Sequence, residues 1–220
     1  MSAFAEPVIL YAVLFFRFSY GTIVTYGTAG TAQFSVSAEI AKTFLYTVPA
    51  LALVWYLLLK TANPKIQKPG VPGKKDIIPG LIAVAMIAVA GFAVSWAAVR
   101  FGGQAELPHI AAPSGFGPWA ALAFSVFALA YLEESFFRFY LISKRQEMGL
   151  SGHRAVLVST LLFALSHAYL GAWGILNAAL CGTALAYVFL RSGSLHGVAI
   201  AHGFYNMAAY AVAAYGARPA

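Results

Sequence analysis

Long apolar runs alternate with short polar connections along most of the chain. A helix that crosses a bilayer needs roughly 20 predominantly apolar residues. Tested against that length, the pattern predicts seven spans, at about 7–28, 41–59, 78–99, 119–142, 155–170, 173–190 and 195–215. We therefore expect an all-α, polytopic transmembrane helical bundle, with residues 1–220 forming one integral membrane domain.

The composition agrees with this pattern. Of 220 residues, 61% are hydrophobic and only 10% are charged, whereas soluble domains have about 25% charged residues. The mean hydropathy is +0.77. The net charge of +7 does not indicate nucleic acid, because the basic residues fall in short connections, where topology and anionic lipid explain them. The single cysteine, Cys181, excludes an internal disulfide framework and a cysteine-rich metal site.

The basic connections also predict an orientation. With seven spans, the linker at 60–76, the connection at 144–154 and Arg191 all fall on one side of the membrane. Lysine and arginine are enriched in cytoplasmic loops. We therefore expect a cytoplasmic N-terminus and a C-terminus outside.

One stretch of the fourth predicted span places charge inside an apolar run. The sequence YLEESFFRFY contains Glu133, Glu134 and Arg138. An ionisable residue at the bilayer centre costs about 2.5–3.5 kcal/mol on insertion scales, so it usually faces a protein interior or a wet cavity. Glu134 and Arg138 are four residues apart and can pair on one helix face, whereas Glu133 points elsewhere and is free to face a cavity. The alternative is a buried ion-pair network that only fixes helix packing.

Polar residues of two later spans lie at a matching depth. At 1.5 Å per residue, Glu134, His167 and His202 each lie about 12–20 Å from the basic or polar connection that bounds their span. In a hydrocarbon core about 30 Å thick, all three are near the middle. Spans four, five and seven can therefore bring a carboxylate and two imidazoles to one interior site.

These residue types suit hydrolysis. A carboxylate beside an imidazole can activate water as a general base, and we assign that role to Glu133 with His167. His202 and Asn206 share a face of the seventh span by their spacing. They would donate hydrogen bonds to the oxyanion formed when water attacks a carbonyl.

The motifs resemble those of the CPBP family, the CAAX protease and bacteriocin-processing intramembrane proteases. The family signature is EExxxR, then FxxxH, then HxxxN or HxxxD on later helices. Here the resemblance covers about 121–206 and rests on three segments: 133–138 (EESFFR), 163–167 (FALSH) and 202–206 (HGFYN).

The resemblance implies a glutamic-type intramembrane endopeptidase with a catalytic core at 119–210. Glu133 would be the base with His167, and His202 and Asn206 would bind the oxyanion. Glu134 and Arg138 would support them. The substrate would be a membrane-associated or lipid-modified protein or peptide, such as a CAAX tail, a bacteriocin leader or a sorting tail. The setting expected for such a short chain is the inner membrane of a prokaryote.

No cofactor is expected, and three alternatives stay open. A glutamate with two histidines could ligate zinc, but the sequence lacks HExxH and offers no carboxylate–histidine ligand pair on one helix. A non-catalytic immunity or scaffold protein could bind a membrane peptide in the same cavity. A small proton-coupled transporter could use the same residues as a relay, although no inverted repeat with broken helices is visible.

Other polar residues receive structural assignments. Arg17, inside the first predicted span, is assigned a structural role, and Asn177 is expected to hydrogen-bond another helix. His196 is placed near the membrane interface rather than in the catalytic group. His109 and His153 fall in predicted loops and receive no role.

Overall fold

The structure is a computed structural model that describes residues 3–16, 34–60, 70–101 and 113–216. Within these ranges the chain is all-helical and contains no strand, which confirms the predicted fold class. Seven helices follow one another: α1 (Ala5–Leu14), α2 (Val36–Lys60), α3 (Ile77–Arg100), α4 (Phe116–Gln146), α5 (Gly152–Ser166), α6 (Gly171–Ser192) and α7 (Leu195–Gly216).

Four of these helices are long and apolar enough to cross a membrane. Two of them are α2 and α4. The other two are α3 and α6, each taken together with the short turn that precedes it. The helix α7 has 22 residues but is not among the four, and polar residues such as His202 and Asn206 interrupt its apolar sequence. The first predicted span is described only as far as Phe16, so Arg17 lies outside the described residues.

The fifth predicted span is shifted along the chain. A span over 155–170 was predicted, but α5 begins at Gly152, so that His153 lies in the helix and not in a loop. It ends at Ser166, and a 3₁₀ turn, Ala168–Leu170, leads directly into α6. Gly171 adopts a φ of 70° at this junction, a conformation that glycine reaches without steric penalty. A hydrophobicity pattern does not register this turn, because its residues are themselves apolar.

Contacts between helices fix their directions. Glu39 of α2 contacts Ser125 of α4, and Trp55 contacts Ser135, so these two helices run parallel. Phe127 of α4 packs against Phe204 of α7, whereas Tyr131, further along α4, contacts His196 at the start of α7, so α4 and α7 run antiparallel.

The bundle consequently has two different ends. At the first, which we call the basic end, α4 finishes near Lys144 and α1, α3, α5 and α7 begin. The basic connections around Lys74, Lys144 and Arg191 gather at this end, as the loop pattern predicts. We call the other, where α4 begins and α7 finishes, the far end.

The basic end is tied together by small residues and buried polar groups. Asp76, just before α3, accepts a hydrogen bond of 2.6 Å from the hydroxyl of Ser194, just before α7. Gly197 lies so close that an added Cβ would meet the Asp76 carbonyl oxygen at 2.8 Å and the Gly80 nitrogen at 3.0 Å. Small residues of this kind let membrane helices approach closely, and here they fix the position of α7 against α3.

A π-helical segment, Ser135–Tyr140, interrupts α4 directly after the two glutamates. Such segments widen a helix by one residue per turn and are frequent at functional sites. Backbone groups that leave the α-helical pattern need other partners in a membrane. The Phe137 carbonyl accepts a hydrogen bond of 2.6 Å from the Ser159 hydroxyl of α5. All six side chains of the segment are buried, so it forms the core between α4 and its neighbours.

Candidate active site

The predicted pair on α4 is present. An oxygen of the Glu134 carboxylate (Oε2) lies 3.1 Å from Nε of Arg138, and both side chains are fully buried. An unpaired charge at this depth would be strongly unfavourable. The ion pair therefore fixes the rotamers of both residues on this face of α4.

Arg138 also binds α6 and α5. Its guanidinium donates a hydrogen bond of 3.2 Å to the carbonyl oxygen of Gly182 and lies 4.3 Å from the ring centroid of Phe163, within the range of a cation–π interaction. A Cβ at Gly182 would meet the Phe163 ring at 2.9 Å, so this approach requires glycine. The role of Gly182 in this contact could not be predicted from the sequence, because a glycine in an apolar helix has no distinguishing pattern.

His202 completes the buried group from α7. Its Nδ1 lies 2.9 Å from Oε1 of Glu134, and because a carboxylate only accepts, this nitrogen donates. The other ring nitrogen, Nε2, lies 3.7 Å from Oε2 of Glu133, which is beyond direct hydrogen-bond range. The ring of His202 therefore stands between the two glutamates, bonded to Glu134 and facing Glu133.

Glu133 differs from its neighbour. Oε2 of both glutamates is buried and makes no hydrogen bond to any described residue, but that of Glu134 lies in the ion pair with Arg138, whereas that of Glu133 lies 3.7 Å from Nε2 of His202. Glu133 retains 8% exposure, whereas Glu134 has none. The predicted free carboxylate is therefore the one whose position in the structure leaves it available to a ligand.

His167 lies at the C-terminal end of α5. Its Nδ1 lies 2.8 Å from the carbonyl oxygen of Phe163. A carbonyl oxygen only accepts, so Nδ1 carries the hydrogen and, in a neutral ring, Nε2 is the nitrogen that can accept a proton. The centroid of the Phe163 ring lies 4.5 Å from that of His167 and 5.7 Å from that of His202.

Asn206 follows His202 by one turn of α7. It is half-buried, and its side chain makes no hydrogen bond within the described ranges. Its amide is thus available on the face of α7 that also presents His202.

The remaining polar residues tie helices together. Asn177 of α6 accepts a hydrogen bond of 3.1 Å from the hydroxyl of Tyr205, as its interhelical assignment predicts, and also contacts Cys181, which is free and buried. His196 lies at the start of α7, at the basic end of the bundle, and is 6% exposed. It donates to the Gly70 carbonyl oxygen at 2.8 Å. His109, like Arg17, lies outside the described residues.

The carboxylates and imidazoles do not form a ligand cage. In the described part of the chain, no group of three or more His, Cys, Asp or Glu side chains is arranged to hold a metal ion. Two of the nearest candidates, Glu134 and Nδ1 of His202, are already bonded to one another.

The fold and the site together define a class: a polytopic helical membrane protein with an ionisable group of two carboxylates, an arginine and an imidazole buried among α4, α5, α6 and α7. Residues 115–208 match the family model described as type II CAAX prenyl endopeptidase Rce1-like, which confirms the resemblance inferred from the motifs. The match spans less than half of the chain but contains all three motifs. No curated protein and no solved structure shows significant similarity to the chain.

Proposed function

We propose that the protein is an intramembrane endopeptidase that hydrolyses a peptide bond in a membrane-associated or lipid-modified protein. The observation that carries this proposal is the difference between two adjacent glutamates. Glu134 is ion-paired with Arg138 and hydrogen-bonded to His202, whereas Glu133 has no ion pair with an arginine among the described residues and lies 3.7 Å from Nε2 of His202, beyond hydrogen-bond range. A purely structural ion-pair network has no use for the second carboxylate. A hydrolase needs it as a base.

In the proposed reaction, Glu133 accepts a proton from a water molecule. His167 orients that water through Nε2. The water oxygen forms a bond to the carbonyl carbon of the peptide, and the C=O π electrons move to oxygen. Glu133 then delivers the proton to the departing amine as the C–N bond breaks. A positioned general base of this kind contributes about 10²- to 10⁴-fold.

The oxyanion of this intermediate needs donors. The Asn206 amide can donate directly, and His202 can donate from Nε2 when the ring is protonated. The ring lies between the two carboxylates, 2.9 Å from Oε1 of Glu134 and 3.7 Å from Oε2 of Glu133. Preorganised donors of this kind often supply the largest catalytic term.

We propose that this reaction uses no metal ion. The support is that no group of three or more His, Cys, Asp or Glu side chains in the described part of the chain is arranged to hold a metal ion. Zinc-dependent hydrolysis is the competing mechanism, and a chelator separates the two.

The substrate proposal follows from the matched family, whose description names prenyl endopeptidases acting on CAAX sequences. A prenylated C-terminal peptide is therefore the first substrate to test. Leader peptides and sorting tails are the next candidates, because the same buried site would suit any peptide delivered within the bilayer.

We also propose that the protein lies in a prokaryotic cell membrane with its basic end in the cytoplasm. The gathering of the connections around Lys74, Lys144 and Arg191 at one end of the bundle supports this orientation. A C-terminal epitope that is accessible outside intact cells would agree with it. An epitope that is accessible only after lysis would overturn it.

The decisive experiment is cleavage by the purified protein in liposomes. Prenylated, unprenylated and leader-type peptides are followed by mass spectrometry with wild type, Glu133→Ala and His167→Ala. His153→Ala is the matched histidine control, because His153 lies at the basic end and contacts Tyr187.

A product lost in the two site variants, kept in the control and resistant to a strong zinc chelator would support the proposal. Cleavage abolished by chelation and restored by zinc would overturn the metal-free mechanism and keep the site. Peptide binding without any cleavage would favour the immunity or scaffold protein instead.

A further inference from the structure

One face of α4 supplies contacts that hold α7 beside the candidate active site. Phe127, Tyr131 and Glu134 follow one another at intervals of four and three residues, so they lie on the same face of the helix. Phe127 packs against Phe204 of α7, and Glu134 is hydrogen-bonded to His202. Tyr131 lies between them on this face, and the proposed reaction does not use it.

Tyr131 contacts His196, the second residue of α7. Its hydroxyl lies 3.2 Å from Nδ1 of His196, and the centroids of the two rings are 5.8 Å apart. The other ring nitrogen, Nε2, lies 2.8 Å from the carbonyl oxygen of Gly70. Because a carbonyl oxygen only accepts, Nε2 carries the hydrogen, and in a neutral ring Nδ1 accepts from the Tyr131 hydroxyl. Both nitrogens of His196 are therefore occupied, one by α4 and the other by the segment before α3.

The start of α7 is also attached to α3. The hydroxyl of Ser194 donates to the Asp76 carboxylate at 2.6 Å and accepts from the Gly197 backbone nitrogen at 3.0 Å. Neither bond involves α4, whereas His196, which is buried, joins this first turn of α7 to Tyr131. The contact between these two rings therefore sets where α4 lies on a helix whose start is already fixed.

We propose that Tyr131 and His196 are positioning residues, whose contact holds α4 against α7 so that His202 stands between Glu133 and Glu134. This inference rests on the proposed function for the reaction that the contact serves. Functional groups need to be held within about 0.5 Å of their productive geometry. His202 lies 2.9 Å from one carboxylate and 3.7 Å from the other, so a shift of α4 would change both distances. A misplacement of about 1 Å can cost about 10²-fold in rate.

A second histidine–tyrosine pair provides the matched control. Nδ1 of His153 lies 2.9 Å from the hydroxyl of Tyr187, and their ring centroids are also 5.8 Å apart. This pair joins α5 to α6 at the basic end. Tyr131→Phe and Tyr187→Phe therefore remove the same hydroxyl from the same kind of contact, and only the first contact lies between α4 and α7.

Cleavage kinetics in liposomes test the contact through kcat and KM. We expect Tyr131→Phe to lower kcat by about 10- to 100-fold and to change KM little, because displaced groups weaken transition-state stabilisation more than peptide binding. Tyr187→Phe should keep the wild-type kcat, and the unfolding midpoints of the two variants should be alike. An unchanged kcat in Tyr131→Phe, or equal losses in both variants, would overturn the positioning role.

Substitutions of His196 test the same contact from α7. His196→Leu fills the space without a donor or an acceptor, so kcat should fall as far as in Tyr131→Phe. His196→Gln should recover most of this loss, because its amide offers a donor to the Gly70 carbonyl and an acceptor to the Tyr131 hydroxyl. Equal losses in both His196 variants would overturn the role of the two hydrogen bonds. Tyr131→Phe removes one oxygen from a half-buried side chain, so it keeps the test valid if His196→Leu does not fold.

Nitrogen NMR tests the positioning without any cleavage. The full-length protein, with isotope-labelled histidine, is placed in nanodiscs, and the His202 signals are assigned by their loss in His202→Gln. Tyr131→Phe should shift the Nδ1 signal of His202, because its hydrogen bond to Glu134 changes, whereas Tyr187→Phe should not. An unshifted signal in Tyr131→Phe would overturn the positioning role at any cleavage rate. A shifted signal in a protein that cuts no peptide would support the positioning while the proposed function fails.

Discussion

Glu133 and Glu134 are adjacent in the sequence, yet the structure gives them opposite surroundings. Glu134 is fully enclosed and is bonded to an arginine on its own helix and a histidine on α7. Glu133 keeps 8% exposure and lies 3.7 Å from Nε2 of His202, beyond hydrogen-bond range. A helix rotates about 100° per residue, and that single rotation gives the two carboxylates different partners.

The two glutamates should also contribute differently to the free energy of unfolding. Removing one partner of a buried ion pair leaves an uncompensated charge, at a cost of about 3–5 kcal/mol. Glu134 and Arg138 should therefore matter first for folding. Glu133, which is not paired with an arginine in the described residues and lies 3.7 Å from His202, should matter first for the reaction.

The largest expected effect is that of Glu133→Gln. The amide keeps the shape of the side chain but is a poor base, so cleavage should fall by about 10²- to 10⁴-fold. The thermal unfolding midpoint should stay near that of wild type. The measurement is single-turnover cleavage beside a melting curve in the same detergent. A variant that loses stability and activity together would erase the distinction between the two glutamates.

Arg138→Met tests the buried ion pair of Glu134. Methionine fills similar volume, but Glu134 is left buried with only His202, so the free energy of unfolding should fall by about 3–5 kcal/mol. Unfolding in mixed micelles of increasing denaturing detergent measures it. The double variant Glu134→Gln with Arg138→Met should lose less than the sum of the two single variants, because neighbours in one network are not additive. Strict additivity would show that the pair is not coupled.

Asn206→Ala removes one proposed oxyanion donor. The loss of such a donor costs about 10²- to 10³-fold in kcat, and KM should change little because the donor acts mainly on the transition state. Asn177→Ala is the matched control, since Asn177 bonds Tyr205 and lies outside the catalytic group. A rise in KM with an unchanged kcat would assign Asn206 to substrate binding instead.

The smallest effect is expected at Ser135, the residue that follows the glutamates. Its hydroxyl accepts a hydrogen bond of 2.9 Å from Trp55 of α2, so Ser135→Ala should lower the free energy of unfolding by about 0.5–1.5 kcal/mol. The cleavage rate should be unchanged. A large loss of activity would show that the functional face of α4 extends beyond Glu133.

Much of this arrangement could be predicted from the sequence, because membrane depth and helical spacing are simple geometry. The four-residue spacing of Glu134 and Arg138 predicted their ion pair. Equal depth predicted that α7 would bring a histidine to α4, and the contact between His202 and Glu134 confirms it. The roles of Glu133, His167, His202 and Asn206 in catalysis stay predictions.

Other features could not be read from the sequence for physical reasons. Arg138 contacts the backbone carbonyl of Gly182. Because every residue has a backbone carbonyl, no residue type in the sequence indicates this contact. Which of the two adjacent carboxylates is hydrogen-bonded to His202 depends on side-chain rotations of a few tens of degrees. The 3₁₀ turn after His167 is apolar and looks like helix to any hydropathy argument.

The π-helical segment of α4 has a consequence for insertions and deletions. The wide turn of Ser135–Tyr140 takes up one residue more than an α-helical turn. Deleting Phe139 would let the segment close into an ordinary α-helical turn, so Tyr140 and Lys144 would still point toward Glu6, which both contact. The segment therefore absorbs a change of one residue in length, and the contacts made inside it, such as that of the Phe137 carbonyl with Ser159, would change more than the packing of α1.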